Sequence, residues 1–162
     1  MKIKIWVVAL GLAISLSRIS AATEHVEEGF AEYNCGDCAA ALQNFRRAAE
    51  QGDAHAQFRL GSMYERALGV PQDYMTALKW YRLAADQGNA AAQLRLGVMY
   101  IWSLGVPQDL VQAHMWFNLA AIDPRLATAV RNRDFTAKRM TPFQVLEAQR
   151  RARDWIAAHP KP

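Results

Sequence analysis

One segment of this 162-residue chain is followed, 36 positions later, by a near copy of itself. Residues 54–85 read AHAQFRLGSMYERALGVPQDYMTALKWYRLAA, and residues 90–121 read AAAQLRLGVMYIWSLGVPQDLVQAHMWFNLAA. Nineteen of the 32 aligned positions are identical. A partial copy precedes both, since six of its residues match the next copy at the same offset: Asp37, Ala41, Ala48, Ala49, Gln51 and Gly52. Self-similarity at this period predicts a stack of supersecondary units that share a continuous core.

Each copy has the periodicity of two amphipathic helices. The first half carries an apolar stripe at helical spacing, which comprises Ala56, Leu60, Met63 and Tyr64, then Ala92, Leu96, Met99 and Tyr100. A Gly-Val-Pro sequence ends this helix, and Asp73 and Asp109 are placed to cap the next one. Gly61 and Gly97 lie inside the first helices, where glycine costs about 1 kcal/mol relative to alanine. Their recurrence predicts a close crossing between helices.

Eleven positions that recur between the two copies form a recognisable string. In the first of these copies they are Ala56, Leu60, Gly61, Tyr64, Gly69, Val70, Asp73, Ala77, Trp80, Ala84 and Ala85. This string resembles the signature of the Sel-1-like repeat family, relatives of the tetratricopeptide repeats. The resemblance implies an all-α fold, a short right-handed α-α solenoid of helix pairs closed by a C-terminal capping helix pair. The loop departs from the family pattern, because Ala67 and Ser103 stand where the family usually has another glycine.

The first 22 residues have the three-part pattern of a secretory signal peptide. Two lysines precede an apolar run over residues 5–16, and the small residues Ser20, Ala21 and Ala22 follow it. The run is about twelve residues, whereas a helix needs about 20 to span a bilayer, so we predict no stable membrane span after signal removal. Cleavage is predicted after Ala22, with Ala21 as the alternative. The mature protein is expected in the periplasm or outside the cell.

Residues 23–162 are predicted to form a single repeat domain. Its parts are a partial repeat at 24–53, a second repeat at 54–89, a third repeat at 90–123 and a C-terminal cap at 124–159. Thr141 and Pro142 are expected to begin the last helix of the cap, with Gln144 completing a capping box.

Charge is distributed unevenly over the predicted mature chain. The sequence has 19 basic and 15 acidic residues, and loss of Lys2, Lys4 and Arg18 with the signal peptide leaves 16 basic residues against 15 acidic. Residues 125–162 hold nine of the basic groups and three of the acidic ones. This asymmetry is compatible with an acidic partner, a membrane surface or a solvated basic helix. An exported chain is not expected to bind nucleic acid.

The sequence contains no recognisable catalytic motif. The four histidines are far apart, none belongs to an HExxH pair, and neither a GxSxG elbow nor a phosphate-binding glycine loop occurs. We therefore predict no catalytic, cofactor-binding or metal-ligating residue. The family resemblance implies a non-catalytic module that binds an unidentified protein or peptide, and the oligomeric state stays open.

Cys35 and Cys38 form the one local motif with possible chemistry. In an oxidising compartment this spacing permits a small disulfide ring, and we predict a structural disulfide. The alternative function is a disulfide-active or thiol-active envelope enzyme, because Cys38 lies near a predicted helix start, a position that redox enzymes use. The enzyme alternative is disfavoured because no predicted strand precedes the motif, as one does in thioredoxin-like proteins. Three further roles stay open for these cysteines, namely an intermolecular thiol, a metal ligand and a free thiol.

The side of the first helix opposite the repeated stripe differs between the two copies. In the third repeat it carries four apolar residues: Leu94, Val98, Ile101 and Trp102. The second repeat has a more polar set at those positions: Phe58, Ser62, Glu65 and Arg66. Two explanations stay open, namely packing under the closing helices of 124–159 or a partner groove anchored by Trp102. The predicted partner-binding residues are Phe58, Leu94, Val98, Ile101 and Trp102.

Overall fold

The structure is a computed structural model that describes residues 38–160. These residues form seven α-helices: α1 (Cys38–Glu50), α2 (Ala54–Arg66), α3 (Tyr74–Asp86), α4 (Ala90–Trp102), α5 (Leu110–Ala120), α6 (Ala127–Ala137) and α7 (Pro142–Ala158). The described part of the chain contains no β-strand, and the predicted all-α fold is confirmed. The predicted signal peptide, Cys35 and the beginning of the partial repeat lie outside the described residues.

Helices that follow one another in the chain pack against one another. α1 packs on α2, α2 on α3, α3 on α4 and α4 on α5. The closing helices α6 and α7 both pack on α5, and the contact between the two is slight. The repeated stripes supply much of the core, where the buried residues include Ala56, Leu60, Met63, Ala92, Leu96 and Met99. The repeat period therefore predicted the stack correctly.

Asp73 and Asp109 cap α3 and α5 as predicted. One carboxylate oxygen of Asp73 accepts hydrogen bonds from the backbone N–H groups of Met75 (2.9 Å) and Thr76 (3.0 Å). The Thr76 hydroxyl donates a further bond to the other oxygen (2.6 Å). These bonds, the hydroxyl's foremost, lower the pKa of the Asp73 carboxyl. Local side chains therefore fix where the second helix of each repeat begins.

Gly61 and Gly97 lie where the first and second helices of a repeat cross. A Cβ atom built on Gly61 would lie 2.8 Å from Cδ1 of Tyr81, and one on Gly97 would lie 2.6 Å from Cδ1 of Phe117. Real Cβ atoms do not approach ring carbons so closely, and both rings are fully buried. The close crossing predicted from the recurring glycines is confirmed, and an aromatic ring is the partner in each repeat.

The loop residues Ala67 and Ser103 have left-handed backbone conformations. The φ angle is 58° at Ala67 and 56° at Ser103, directly after α2 and α4. Their N–H groups donate to the carbonyls of Met63 and Met99 and so end the two helices. At both positions the chain adopts a conformation that glycine favours without having glycine there.

Ala67→Gly is expected to stabilise the protein by about 0.5–1 kcal/mol. A left-handed conformation costs an L-residue about 1–2 kcal/mol, and the greater freedom of glycine in the unfolded chain offsets part of the gain. Urea unfolding of the single variant and of Ala67→Gly/Ser103→Gly measures the effect, and the two gains should add because the loops belong to different repeats. Gly52→Ala is the matched reverse control, since Gly52 has φ of 96° and open space around it, so its loss of stability would come from the backbone alone. A lower stability of Ala67→Gly would contradict the left-handed geometry.

His114 on α5 is a buried histidine that replaces Leu78 of the previous repeat. Nδ2 of Asn118 lies 3.0 Å from Nδ1 of His114, and because an amide nitrogen only donates, this bond requires an unprotonated Nδ1. Burial lowers the pKa of the His114 imidazole, Arg133 of α6 lowers it further, and Asp134 opposes them. The folded protein therefore favours the neutral ring.

Stability is expected to fall with acidification because of His114. Its pKa is lower in the folded protein than the ordinary value of about 6.5, so the unfolded chain binds the proton more readily. The stabilisation is complete above about pH 6.5 and is lost as the pH falls through that value towards the folded pKa. Urea unfolding at a series of pH values from 7.5 to about 5 measures the loss. His114→Leu, which restores the residue of the previous repeat, should flatten the profile, and an identical profile in this variant would rule His114 out as the cause.

Candidate interaction surfaces

A buried polar network joins the second repeat to the third. The Tyr81 hydroxyl of α3 donates to Oε2 of Glu65 at the end of α2 (2.6 Å). Nε of Arg95 on α4 donates to the same oxygen (3.1 Å), and Nη2 of Arg95 bonds the other carboxylate oxygen. Burial raises the pKa of the Tyr81 hydroxyl, so it stays a neutral donor. Glu65 thus receives bonds from α3 and α4, and the network fixes how α4 stacks on the preceding repeat.

The third repeat replaces this network with apolar side chains. Ile101 stands at the position of Glu65, and Phe117 stands at the position of Tyr81. Ile101 and Phe117 are buried in one cluster with Ala113, and Leu94 and Val98 pack against it. Part of the polar-to-apolar shift therefore has a cause inside the repeat, whereas packing under the closing helices and a partner groove both stay predictions for the half-buried Leu94 and Val98.

The five predicted partner-binding residues differ in how far they are exposed. Leu94, Val98 and Ile101 lie together, but Ile101 is 4% exposed and serves packing. Trp102, at the end of α4, is 64% exposed and follows Val98 by four residues, which places both on one side of the helix. Phe58 is half-buried elsewhere, with its ring centroid 5.7 Å from that of Tyr81. Trp102 and Phe58 therefore stay candidates for contact with a partner, whereas the Ile101 side chain is not accessible.

Phe58 contributes to a groove in the described part of the chain. Its volume is about 1090 Å³. The first turns of α2 and α4, the connection between α5 and α6, and the end of α7 surround it. Its lining residues include Phe58, Arg59, Asn89, Gln93, Ile122, Arg125, Leu126, Trp155, Ile156 and His159. Apolar, amide, imidazole and guanidinium groups thus face one open space, which suits a chain segment of mixed character better than a small apolar ligand.

Side-chain amides hold one wall of the groove in place. Nε2 of Gln57 donates to the carbonyl of Ala49 (3.2 Å), and Nε2 of Gln93 makes the equivalent bond to Ala85 (3.2 Å). Nε2 of Gln87 donates to Oε1 of Gln57 (2.7 Å) and links the two repeats. The Gln57 and Gln93 bonds recur at the repeat spacing, so the wall formed by α2 and α4 is preorganised rather than assembled by a ligand.

The opposite wall is set by how α7 packs on α5. The rings of Trp155 and Trp116 meet edge to face with centroids 6.2 Å apart, and Trp116 is fully buried. Trp155 also stacks on His159 with centroids 4.2 Å apart. Ile156, beside them, is 45% exposed and lines the groove. Sequence reasoning missed this wall, although Trp155 and Ile156 belong to the apolar stripe of the last helix.

Three further features of residues 38–160 concern metal ligation, membrane spanning and Cys38. No group of three His, Cys, Asp or Glu side chains within residues 38–160 is placed to hold a metal ion. The longest helix there, α7, has 17 residues, and no helix in that range is both long and apolar enough to cross a bilayer. Cys38 is half-buried and packs against the core between α1 and α2. Its predicted disulfide stays a prediction, because Cys35 lies outside the described residues.

Comparisons with known proteins agree with this architecture. The sequence model of the Sel1 repeat matches residues 31–53, 54–89 and 90–122, which is more than half of the chain. A search of curated proteins finds no match.

Two solved structures are similar to the chain. One is that of c5321, a protective antigen present in uropathogenic Escherichia coli strains that displays an SLR fold; it is 34% identical, with a TM-score of 0.81 over 85% of this chain and 30% of that one. The other is a Sel1 repeat protein from Oxalobacter formigenes, 26% identical, with a TM-score of 0.65 over 87% of this chain and 57% of that one. This chain thus spans less than two thirds of either protein. On the family match and the shared fold, the chain belongs to the Sel1 repeat family.

Proposed function

We propose that this protein is a non-catalytic adaptor that binds a segment of a partner protein in the groove between α2, α4 and α7. The observation that carries the proposal is the groove of about 1090 Å³, whose lining combines exposed apolar side chains with hydrogen-bonding groups. Concave surfaces of this kind are what repeat proteins offer to extended ligands. The amide bonds at Gln57 and Gln93 lower the cost of ordering one wall on binding.

Site-specific photo-crosslinking tests where the partner binds. A photoreactive phenylalanine analogue at Phe58 or Ile156 is expected to crosslink one protein from the native envelope fraction. The same analogue at Met75, which is 61% exposed but outside the groove, is the matched control and should give no such product. Equal crosslinking from Met75 would contradict a groove site. Crosslinking from Trp102 alone would move the site to the end of α4.

Export is the second part of the proposal. The pattern of residues 1–22 supports removal of a signal peptide and a mature chain that begins near Thr23 outside the cytoplasm. Intact-mass analysis of the protein from cell fractions measures this directly. A product in the exported fraction that keeps residues 1–22 would contradict the proposed cleavage.

A structural role for Cys38 agrees better with the adaptor than with a thiol-active enzyme. Its side chain packs on the α1–α2 core, and Gly69 of the following loop lies against its carbonyl, so that a Cβ there would be 2.7 Å from the Cys38 oxygen. A thiol that packs on a core offers less of its surface to a substrate disulfide than an exposed thiol does. A thiol titration and a measured reduction potential are expected to show an oxidised pair of low potential. Reductase or isomerase activity that disappears in Cys38→Ser, with unchanged stability, would favour the enzyme instead.

A further inference from the structure

The turn between α6 and α7 presents an unusual set of exposed side chains. We call this set the cap tip; its members are Phe135, Lys138, Arg139, Phe143 and Leu146. Phe143 is 77% exposed, Leu146 is 63% exposed and Phe135 is 51% exposed. Both cations are exposed as well. None of the five lines the groove, so the proposed adaptor function does not use them.

The cap tip is cationic because the nearest carboxylates are engaged by other groups. Residues 135–146 contain no Asp or Glu. Asp134, just before this segment, pairs with Arg133 (2.8 Å), and Glu147, just after it, pairs with Arg150 (2.9 Å) and Arg151 (2.8 Å). Within residues 38–160, neither Lys138 nor Arg139 forms an ion pair with a carboxylate. The positive charge at the turn is therefore available to an anionic surface.

Local hydrogen bonds and one core contact hold the turn that carries the cap tip. Oγ1 of Thr141 accepts from the backbone N–H of Gln144 (3.3 Å), and Oε1 of Gln144 accepts from the N–H of Thr141 (2.9 Å), which confirms the predicted capping box. Met140 packs against the main core and anchors the turn from inside. The Arg139 guanidinium lies 5.8 Å from the centroid of the Phe135 ring. Cation and aromatic ring are thus held side by side before any ligand arrives, which lowers the cost of docking.

We propose that the cap tip docks this protein onto the surface of a bilayer that contains anionic phospholipid. Phenylalanine and leucine side chains bind at the boundary between headgroups and acyl chains, and neighbouring lysine and arginine side chains bind the lipid phosphates. A membrane fits the cap tip better than a protein partner does. Hot spots between proteins lie in well-packed pockets, whereas the side chains of the cap tip are exposed at a turn outside the groove. Docking through the cap leaves the groove open, and this proposal stands independently of the adaptor function.

Vesicle sedimentation tests the proposal with the predicted mature chain, which lacks the apolar run of residues 5–16. The protein is expected to sediment with vesicles of mixed phosphatidylglycerol and phosphatidylcholine, to bind pure phosphatidylcholine far more weakly, and to dissociate at high salt. Lys138→Gln/Arg139→Gln should weaken binding about thirtyfold, at the usual contribution of a cation near an anionic membrane. Phe143→Ser/Leu146→Ser should weaken it by about tenfold or more.

Met75→Ser/Lys79→Gln is the matched control, since it removes one exposed apolar side chain and one cation from α3. This control should bind like the unmodified protein. The cap-tip variants change exposed residues and should keep an unchanged circular dichroism spectrum. Absence of binding to the anionic vesicles, or equal binding by the control and the cap-tip variants, would overturn the proposal. The proposal would also be overturned if the protein did not bind vesicles and sedimentation equilibrium showed that it self-associates through the cap tip.

Discussion

Replacing Glu65 with alanine is expected to lower the free energy of unfolding by about 3 kcal/mol. Loss of the carboxylate leaves the buried Tyr81 hydroxyl without its acceptor and the Arg95 guanidinium without its counter-ion. Removing one partner of a buried pair costs about 3–5 kcal/mol. The lower end applies because the Arg95 side chain is 30% exposed and regains some hydration. Urea unfolding near neutral pH measures the change.

The third repeat supplies a matched rescue for this experiment. Glu65→Ile/Tyr81→Phe copies the pair Ile101 and Phe117, so no buried hydroxyl is left unpaired. The double variant should therefore be more stable than Glu65→Ile alone, although it has one substitution more. A double-mutant cycle in which the two changes simply add would show that the carboxylate and the hydroxyl are not coupled.

Gly97→Ala is expected to destabilise the protein by about 2 kcal/mol, even though alanine is the better helix former. The added methyl group would press on the ring of Phe117, which is fully buried and cannot turn away. Overpacking of a core commonly costs about 1–3 kcal/mol, and the upper end applies because the ring is fully buried. Helix propensity returns about 1 kcal/mol of this cost. Thermal and urea unfolding of the single variant measure the net effect.

A second substitution separates crowding from other causes. Gly97→Ala/Phe117→Leu removes the ring that the methyl group meets, and it should be more stable than the sum of its single changes predicts. Gly61→Ala tests the same crossing in the second repeat, where the contact with Tyr81 is slightly longer. A stabilised Gly97→Ala protein would mean that α4 and α5 are farther apart than described.

The part of the fold that the sequence predicted is the part that repeats. Caps at Asp73 and Asp109 depend on contacts within four residues, and the glycine crossings recur at the period of the stack. Both signals are visible in the sequence because each of the two repeats contains one such cap and one such crossing at equivalent positions. The helix pairs of the second and third repeats were therefore predictable without any tertiary information.

The apolar face of the third repeat was harder to interpret, because its explanation involves two helices. A comparison of the first helices of the two repeats shows that Ile101 replaces Glu65, but it does not show why. The accompanying change from Tyr81 to Phe117 lies on the second helix, 16 residues further along. Considering the two differences together would have indicated a buried hydrogen bond in one repeat and its apolar replacement in the other.

The groove was unpredictable for a different reason. Its far wall depends on α7, which lies beyond the repeated segment and packs on α5 through contacts that no periodicity encodes. Leu119 and its counterpart Leu83 differ in exposure: Leu119 is buried, whereas Leu83 is 48% exposed. The difference arises because Leu119 packs in one cluster with residues of α7. A comparison of the repeats cannot show which residues are buried by α7, because this helix has no counterpart within the repeats.

The network around Glu65 also makes one position in the stack more suitable than another for an added repeat. An arginine recurs every 36 residues, at Arg59, Arg95 and Arg131, and Arg95 finds the carboxylate of the unit before it. Ile101 offers no carboxylate to the unit that follows, and Arg131 instead bonds the hydroxyl of Thr128 on its own helix (3.0 Å). In a copy of the second repeat inserted before the third, the arginine equivalent to Arg59 would find the carboxylate of Glu65. In a copy inserted after the third repeat, that arginine would meet Ile101 and would lack a carboxylate partner. An added copy of the second repeat is therefore expected to be less destabilising before the third repeat than after it.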